Sequence, residues 1–217
     1  MWGGDFFQYF RLSHHRLAMA MADVTGHAME AAIPVVMFSG MLKSETGHGN
    51  PLDNLFGRLN LNQLFNNLNQ PLCETWNKRT FVCFLMGELD IFSRTFSFAN
   101  SGCPFPYHYR AATGTVVEVE AQAAYPLGIN SNTNYQAREI QLQPGDRLVF
   151  CSDGIIEASN AHEEFFGFER TAESIREGCR QDLAVADLLD CIFASVDQFA
   201  AGHLQDDDRT CMVLHAR

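Results

Sequence analysis

Four aspartates stand where apolar, strand-like runs stop. They are Asp5 in Gly3-Gly4-Asp5-Phe6, Asp23 in Ala22-Asp23-Val24-Thr25-Gly26-His27, Asp153 in Cys151-Ser152-Asp153-Gly154, and Asp207 in Asp206-Asp207-Asp208-Arg209-Thr210. A carboxylate at a strand end lies at the rim of a sheet, where loops gather. Four of them from distant parts of one chain could converge on hard cations, because all-oxygen donor sets suit Mg2+ or Mn2+. Two such ions can share one carboxylate, acidify a water and direct it in line at phosphorus. Each aspartate also has a local explanation. Asp153-Gly154 suits a turn, Asp23 or Thr25 could cap a following helix, and 206–208 could be a solvated acidic turn. Asp5 could be a lone loop carboxylate.

The elements that must carry these residues follow from periodicity. Residues 6–12 and 16–24 read as strands joined through Ser13-His14-His15, with Phe6, Phe7, Tyr9 and Phe10 expected in the core. Residues 28–42, rich in Ala, Met and Val, suit a mostly buried helix interrupted by Pro34. Asn50-Pro51 opens a second helical stretch, with Leu52, Leu55, Phe56 and Leu59 and then Leu61, Leu64, Phe65 and Leu68 at helical spacing. The period returns to two at 80–89 and 94–100, turning at 90–93. Strands are expected at 106–109, 116–119, 135–142 and 147–151, the last two parted by Gln143-Pro144-Gly145-Asp146. Helices at 168–179 and 184–200 and a strand at 209–215 close the chain. Hairpins dominate and no regular βαβ alternation appears, so the expected class is α+β, with antiparallel sheets and helices layered outside them.

Composition narrows the function. The 217 residues are 47% hydrophobic and 19% charged, enough for one substantial core. A net charge of -11 argues against a nucleic-acid partner. Seven scattered cysteines without a Cys-x-x-Cys pair suit buried, reduced thiols in a cytoplasmic protein. No apolar run reaches the roughly 18 to 20 residues that span a bilayer, so this chain is expected to make no membrane contact of its own. No glycine-lysine Walker loop is present.

The motifs occur in a fixed order. After Gly3-Gly4-Asp5-Phe6-Phe7 and Asp23-Val24-Thr25-Gly26-His27-Ala28, with Ala31-Ala32, come Asn100-Ser101-Gly102-Cys103-Pro104 and Pro126-Leu127-Gly128. Pro144-Gly145-Asp146, Ser152-Asp153-Gly154-Ile155-Ile156-Glu157-Ala158, Phe166-Gly167 and Asp207-Asp208-Arg209-Thr210 follow. This ordered set resembles the stage-II-sporulation-E-like branch of the bacterial metal-dependent (type 2C) serine/threonine protein phosphatases, from residue 3 to about 214. The resemblance implies a four-layer α-β-β-α sandwich over one domain, 1–217. It implies two Mn2+ or Mg2+ ions, with Asp23 bridging them, Asp153 and Asp207 on one, and Asp5 and the Val24 carbonyl on the other. Asp208 would stand behind these ligands. Asp23 and Asp153 would be the catalytic carboxylates, and a metal-activated water would attack phosphoserine or phosphothreonine directly. The implied partners are a phosphorylated regulatory protein of anti-anti-sigma type and an upstream sensor or regulatory domain, with homodimerisation open.

The chain also departs from the family pattern. A family strand that runs into Gly-Gly-Asp is missing, with only Met1 and Trp2 ahead, so the domain is expected to be excised from a longer protein or to have lost that strand. Asn-Ala-Gly-His has become Asn100-Ser101-Gly102-Cys103. Ala22 replaces a glycine before the bridging aspartate, and Ala28 replaces the glycine after His27. No residue matches the arginine that grips phosphate in eukaryotic relatives, so affinity would come from the partner protein. Three smaller readings accompany these. His27 is a loop residue or a proton carrier, His14-His15 is a turn rather than a metal site, and Cys103 is a candidate for oxidation. Two alternatives remain open: a phosphatase-fold module that is silent or switched through the helices at 28–70, and a diguanylate cyclase suggested by Gly3-Gly4-Asp5-Phe6.

Overall fold

The computed structural model describes residues 4–25, 29–46, 58–76 and 80–217, with only the backbone of 29–32. The chain divides into two compact units, Met1–Cys103 with Ala121–Gln141, and Pro104–Glu120 with Leu142–Arg217.

The first unit holds a five-stranded antiparallel sheet in the order β1-β2-β3-β4-β7: β1 (Asp5–Arg11), β2 (Arg16–Val24), β3 (Val82–Asp90), β4 (Thr95–Ser101) and β7 (Arg138–Gln141). Its strongest sequence signal is the alanine and methionine alternation of β2. Ala18, Ala20, Ala22 and Val24 share one face with Phe84 and Met86 of β3, and against this face pack the helices α1 (Met29–Glu45) and α2 (Leu61–Thr75). The alanines leave room for Phe38 of α1, whose ring meets Phe84 edge-on at 5.0 Å. In α2, Leu61, Leu64, Phe65, Leu68 and Leu72 recur at helical spacing and are all buried. Each contributes about 1.5–3 kcal/mol when fully removed from water.

Several expectations change here. The helix containing Leu61 begins at that residue, because the Asn60 side chain caps it by accepting from Gln63 N at 3.1 Å. Leu59 therefore lies outside the helix, and its N–H donates to the buried Glu88 at 2.8 Å. Leu52, Leu55 and Phe56 lie outside the described residues. α1 runs through Pro34 but is not mostly buried: Ile33 and Val36 are 69% and 72% exposed, and Met37 is exposed beside them. Among its described side chains, Phe38 and Leu42 are buried in the core, and Val35 and Met41 pack against it. The aromatic run of β1 divides in the same way. Phe6 and Phe10 join the core, whereas Phe7 and Tyr9 are 57% and 51% exposed on the other face, because strand alternation sends neighbours to opposite sides.

The second unit holds a four-stranded antiparallel sheet, β6-β5-β8-β9, made of β5 (Tyr107–Arg110), β6 (Thr115–Glu118), β8 (Arg147–Cys151) and β9 (Cys211–His215). Tyr107, Tyr109, Val149 and Cys151 form one core with Ile175 and Cys179 of α4 (Gly167–Arg180) and Leu188, Ile192 and Val196 of α5 (Val185–Ala200). A single helical turn, α3 (Asp153–Ile156), follows β8. The turn at Pro144-Gly145 therefore separates strands of different sheets, since β7 pairs with β4 and β8 pairs with β5 and β9. Asp146 anchors that turn from within. Its buried carboxylate accepts from Gln143 N and Ala111 N at 2.9 Å and contacts His108 Nε2 at 2.8 Å. The seven cysteines are thiols outside any disulfide, and of these Cys151 and Cys179 are buried. Among the described residues no helix is long and apolar enough to cross a membrane.

Candidate metal centre

The first pair of carboxylates sits at the open end of the β1–β2 hairpin. Asp5 and Asp23 are register partners, so their side chains project from the same face, opposite the one that carries α1 and α2. Val24 N donates to Gly4 O at 3.1 Å, which makes the adjacent Asp5–Asp23 rung the closer, non-hydrogen-bonded kind. Gly4 shows how tightly this corner is drawn. A Cβ there would stand 2.2 Å from Val24 O and 2.6 Å from Asp23 Oδ1. Two predicted ligand atoms thus lean on one point that only glycine leaves open.

The surrounding motifs hold Asp23 and Val24 in place. Thr25 is tied to the start of β3. Its N–H and its hydroxyl both reach Phe81 O at 3.1 Å, and Phe81 N donates back to Thr25 Oγ1 at 2.9 Å. Val82, the partner of Val24, exchanges two backbone hydrogen bonds with Leu127 of the Pro126-Leu127-Gly128 segment. Asn69 of α2 pins that segment through Gly128 N at 2.8 Å and Asn130 O at 3.0 Å. Asn100 holds the backbone of Cys103 from both sides, and the Gly102 bend packs on Cys83 and Pro126. The motif residues without charge are therefore the frame of the first pair. His27 and Gly3 lie outside the described residues.

The second pair, Asp153 and Asp207, is joined by the seam where β8 ends and β9 begins. Ser152 N donates to Thr210 O at 2.9 Å, Ser152 Oγ accepts from Thr210 N at 2.9 Å, and the same hydroxyl donates to Asp208 O at 3.3 Å. Gly154 brings the first turn of α3 onto the facing backbone, where a Cβ would lie 1.9 Å from Asp208 O. Asp153 Oδ1 accepts from Gly154 N, and Asp207 Oδ1 accepts from Asp208 N at 2.8 Å. Burial, and then the negative charge of Asp207, push the Asp153 carboxyl above the ordinary carboxylate range. Sequence reasoning passed over two residues here. Ser152 is the hub of the seam, and Arg209 ties the Asp207 loop to α5 through Asp197 at 2.7 Å. Their only sequence signal is that they fall inside motifs quoted for their neighbours. A cleft of about 190 Å³ opens beside the pair, lined among others by Gly154, Glu157, Asp206, Asp207 and Arg209. A larger cleft of about 550 Å³ in the first unit, around Arg58, Glu88 and Glu139, holds none of the predicted residues.

The carboxylates thus come as two pairs, one in each unit. Among the described residues no group of three or more His, Cys, Asp or Glu side chains is gathered at one point. The donors themselves fit a hard divalent cation. They are carboxylate oxygens and one backbone carbonyl, and in the second pair two like charges stand close enough to disfavour each other, which a cation relieves.

Comparison with known proteins agrees with this frame. The chain is 23% identical to Protein IcfG of Synechocystis sp., covering 98% of this chain and 36% of that one. It is 24% identical to the phosphoserine phosphatase RsbU of Bacillus subtilis, covering 71% and 43%. The chain therefore spans less than half the length of these curated relatives. The solved SiaA-PP2C domain of Pseudomonas aeruginosa superposes with a TM-score of 0.81 at 20% identity, covering 98% of this chain and 80% of that one, which shows the fold. The model of the Stage II sporulation protein E (SpoIIE) family matches residues 13–217. That span takes in Asp23, the scaffold motifs and the Asp153–Asp207 seam, so the order of motifs and the architecture lead to one conclusion: the chain belongs to the SpoIIE family.

Proposed function

We propose that this chain is a metal-dependent serine/threonine protein phosphatase that hydrolyses phosphoserine or phosphothreonine in a cytoplasmic regulatory protein of anti-anti-sigma type. The observation that carries the reading is the Asp153–Asp207 pair. A SpoIIE-family chain spends a hydrogen-bonded seam, a close-packed glycine and a helix start on holding two like charges together. That arrangement is costly unless a cation is bound.

The residues that would hold two Mn2+ or Mg2+ ions are Asp23 as the shared ligand, Asp153, Asp207, Asp5 and the Val24 carbonyl. The chemistry supplied by such ions when bound is activation of water and neutralisation of phosphoryl charge. The chain does the rest by positioning. Asp23 Oδ1 and Val24 O are drawn to one corner by Gly4. Ser152 and Thr210 lock the strand ends from which Asp153 and Asp207 project, and Asp208 N–H fixes the orientation of Asp207 Oδ1. Both glycines act by letting backbone and carboxylate approach, so that the ligands are set before substrate arrives.

The test is Mn2+-dependent hydrolysis of p-nitrophenyl phosphate and of a phosphorylated anti-anti-sigma protein, with Asp153→Ala beside wild type. Turnover by wild type and its loss in the variant support the reading. A folded, metal-loaded wild-type chain that hydrolyses neither substrate overturns it.

A second reading, a module that is silent until an upstream sensor or a second copy engages it, is favoured by the apolar stripe of Ile33, Val36 and Met37 on α1. Full-speed turnover by this chain, unchanged when an upstream segment is attached, would dismiss it. The cyclase reading does not survive the family assignment.

A further inference from the structure

We propose that Cys151 and Cys211 form an oxidisable dithiol, a modification site that closes to a cross-strand disulfide between β8 and β9. The two residues are register partners, and their Sγ atoms stand 3.9 Å apart. The next rung, Ser152–Thr210, carries the backbone hydrogen bond, so Cys151–Cys211 is a non-hydrogen-bonded rung. Such rungs place Cα atoms about 4.5 Å apart, at the short end of the roughly 4.4–6.8 Å that disulfides span. Closure to a bond of about 2.05 Å then needs rotation of two short side chains and a small tightening of the ladder. Neither cysteine has a place in the chemistry proposed above.

Access sets the order of events. Cys151 is 1% exposed, whereas Cys211 is half-buried. With hydrogen peroxide as the oxidant, Cys211 sulfur attacks one peroxide oxygen. An S–O bond forms, the O–O bond breaks, and the departing hydroxide leaves as water with the Cys211 thiol proton. Cys151 sulfur then attacks Cys211 sulfur. The S–S bond forms, the S–O bond breaks, and the second oxygen leaves as water with the Cys151 proton. The sulfur pair gives up two electrons, and the peroxide takes them.

The position of this rung gives the bond a consequence. It lies directly beside the Ser152–Thr210 seam that holds Asp153 against the Asp207–Asp208 backbone. Drawing the sulfurs together tightens and twists the ladder at that point. The expected effect on turnover rests on the phosphatase reading: a loss of about 10- to 100-fold, as for ångström-scale displacement of a catalytic group.

The experiment oxidises the whole chain with hydrogen peroxide, blocks remaining thiols by alkylation, and maps cross-linked peptides by mass spectrometry. The expected result is a peptide joining Cys151 to Cys211 that dithiothreitol releases and that Cys211→Ser lacks. Should Cys211→Ser fail to fold, Cys151→Ser provides the second arm, with Cys211 accumulating as a sulfenic or sulfinic acid instead of a disulfide. Both thiols alkylated after full peroxide treatment, or joined to other cysteines, would overturn the proposal. Turnover is read separately. A linked peptide with unchanged turnover in an active chain refutes the effect on the site. A chain inactive in both states refutes the phosphatase reading and leaves the dithiol standing on its mass signature.

Discussion

Gly154→Ala is the sharpest test of how the second carboxylate pair is held. Gly154 has helical backbone as the second residue of α3, so alanine is conformationally acceptable and only space is at issue. An added Cβ would stand 1.9 Å from Asp208 O, where ordinary contact begins near 3.4 Å. The obstacle is a backbone carbonyl and cannot swing aside, so α3 and the 207–208 segment must part by about 1.5 Å. Overpacking of this kind costs about 1–3 kcal/mol. For a chain of this size that lowers the melting temperature by roughly 2–12 °C. The displacement falls on Asp153 and Asp207 themselves. Because a 1 Å misplacement costs about 100-fold, kcat should fall by at least about 100-fold, and a higher Mn2+ concentration should be needed for half-maximal rate. The assay is steady-state hydrolysis of p-nitrophenyl phosphate across a Mn2+ titration, with a thermal melt on the same samples. Gly40→Ala in α1 is the control, since a Cβ there meets nothing within 4 Å and alanine favours the helix. A Gly154→Ala chain with near-wild-type kcat and metal dependence would refute the argument that this contact sets the ligand geometry.

Two further outcomes follow from the same contacts. Native Asp153 takes up its proton more readily than in the unfolded chain, so the metal-free fold should lose stability as pH rises from the ordinary carboxylate range through the raised Asp153 value, and retain it below. Asp153→Asn should flatten that step and raise the metal-free melting temperature at neutral pH while abolishing Mn2+-dependent turnover, as paired melts and rate assays will show. Asp146→Ala removes the buried partner of His108 and the acceptor of two part-buried backbone N–H groups, and should cost about 1–3 kcal/mol by urea unfolding. A loss below about 1 kcal/mol would show that the turn stands without its anchor.

The hairpins and the last two helices were legible because two-residue and helical periods are local properties of a sequence. β1, β2, β3 and β4 lie where alternation puts them, and α4 and α5 match within a residue or two. What escaped depends on contacts distant in sequence. Nothing local says that Phe7 and Tyr9 face away from the helices while Phe6 and Phe10 face them, or that α1 leaves Ile33, Val36 and Met37 exposed. Asp146 reads as an ordinary turn residue until β5 supplies His108, and Arg147 is an apparent surface charge that is 2% exposed beneath α4, bonded to Asp182 at 3.1 Å. At the candidate site the carboxylates were visible as strand-end aspartates. The Ser152–Thr210–Asp208 seam was not, because hydroxyl-to-backbone contacts across more than fifty residues leave no periodic trace.

The alternation on β2 also shapes which changes this chain can absorb over time. Ala18, Ala20 and Ala22 are at most 1% exposed beneath the helices, so each added methyl group on that face presses against packed neighbours and costs about 1–3 kcal/mol. Met19 and Met21 on the other face are long and flexible, and their swaps for leucine cost less. Met19 and Met21 are themselves buried, so the two faces of β2 differ in kind: one admits no added volume, and the other admits exchange between side chains of similar volume. Drift along β2 is steered by face, and Asp23 shares its register with the methionines while its neighbours Ala22 and Val24 lie on the strict one.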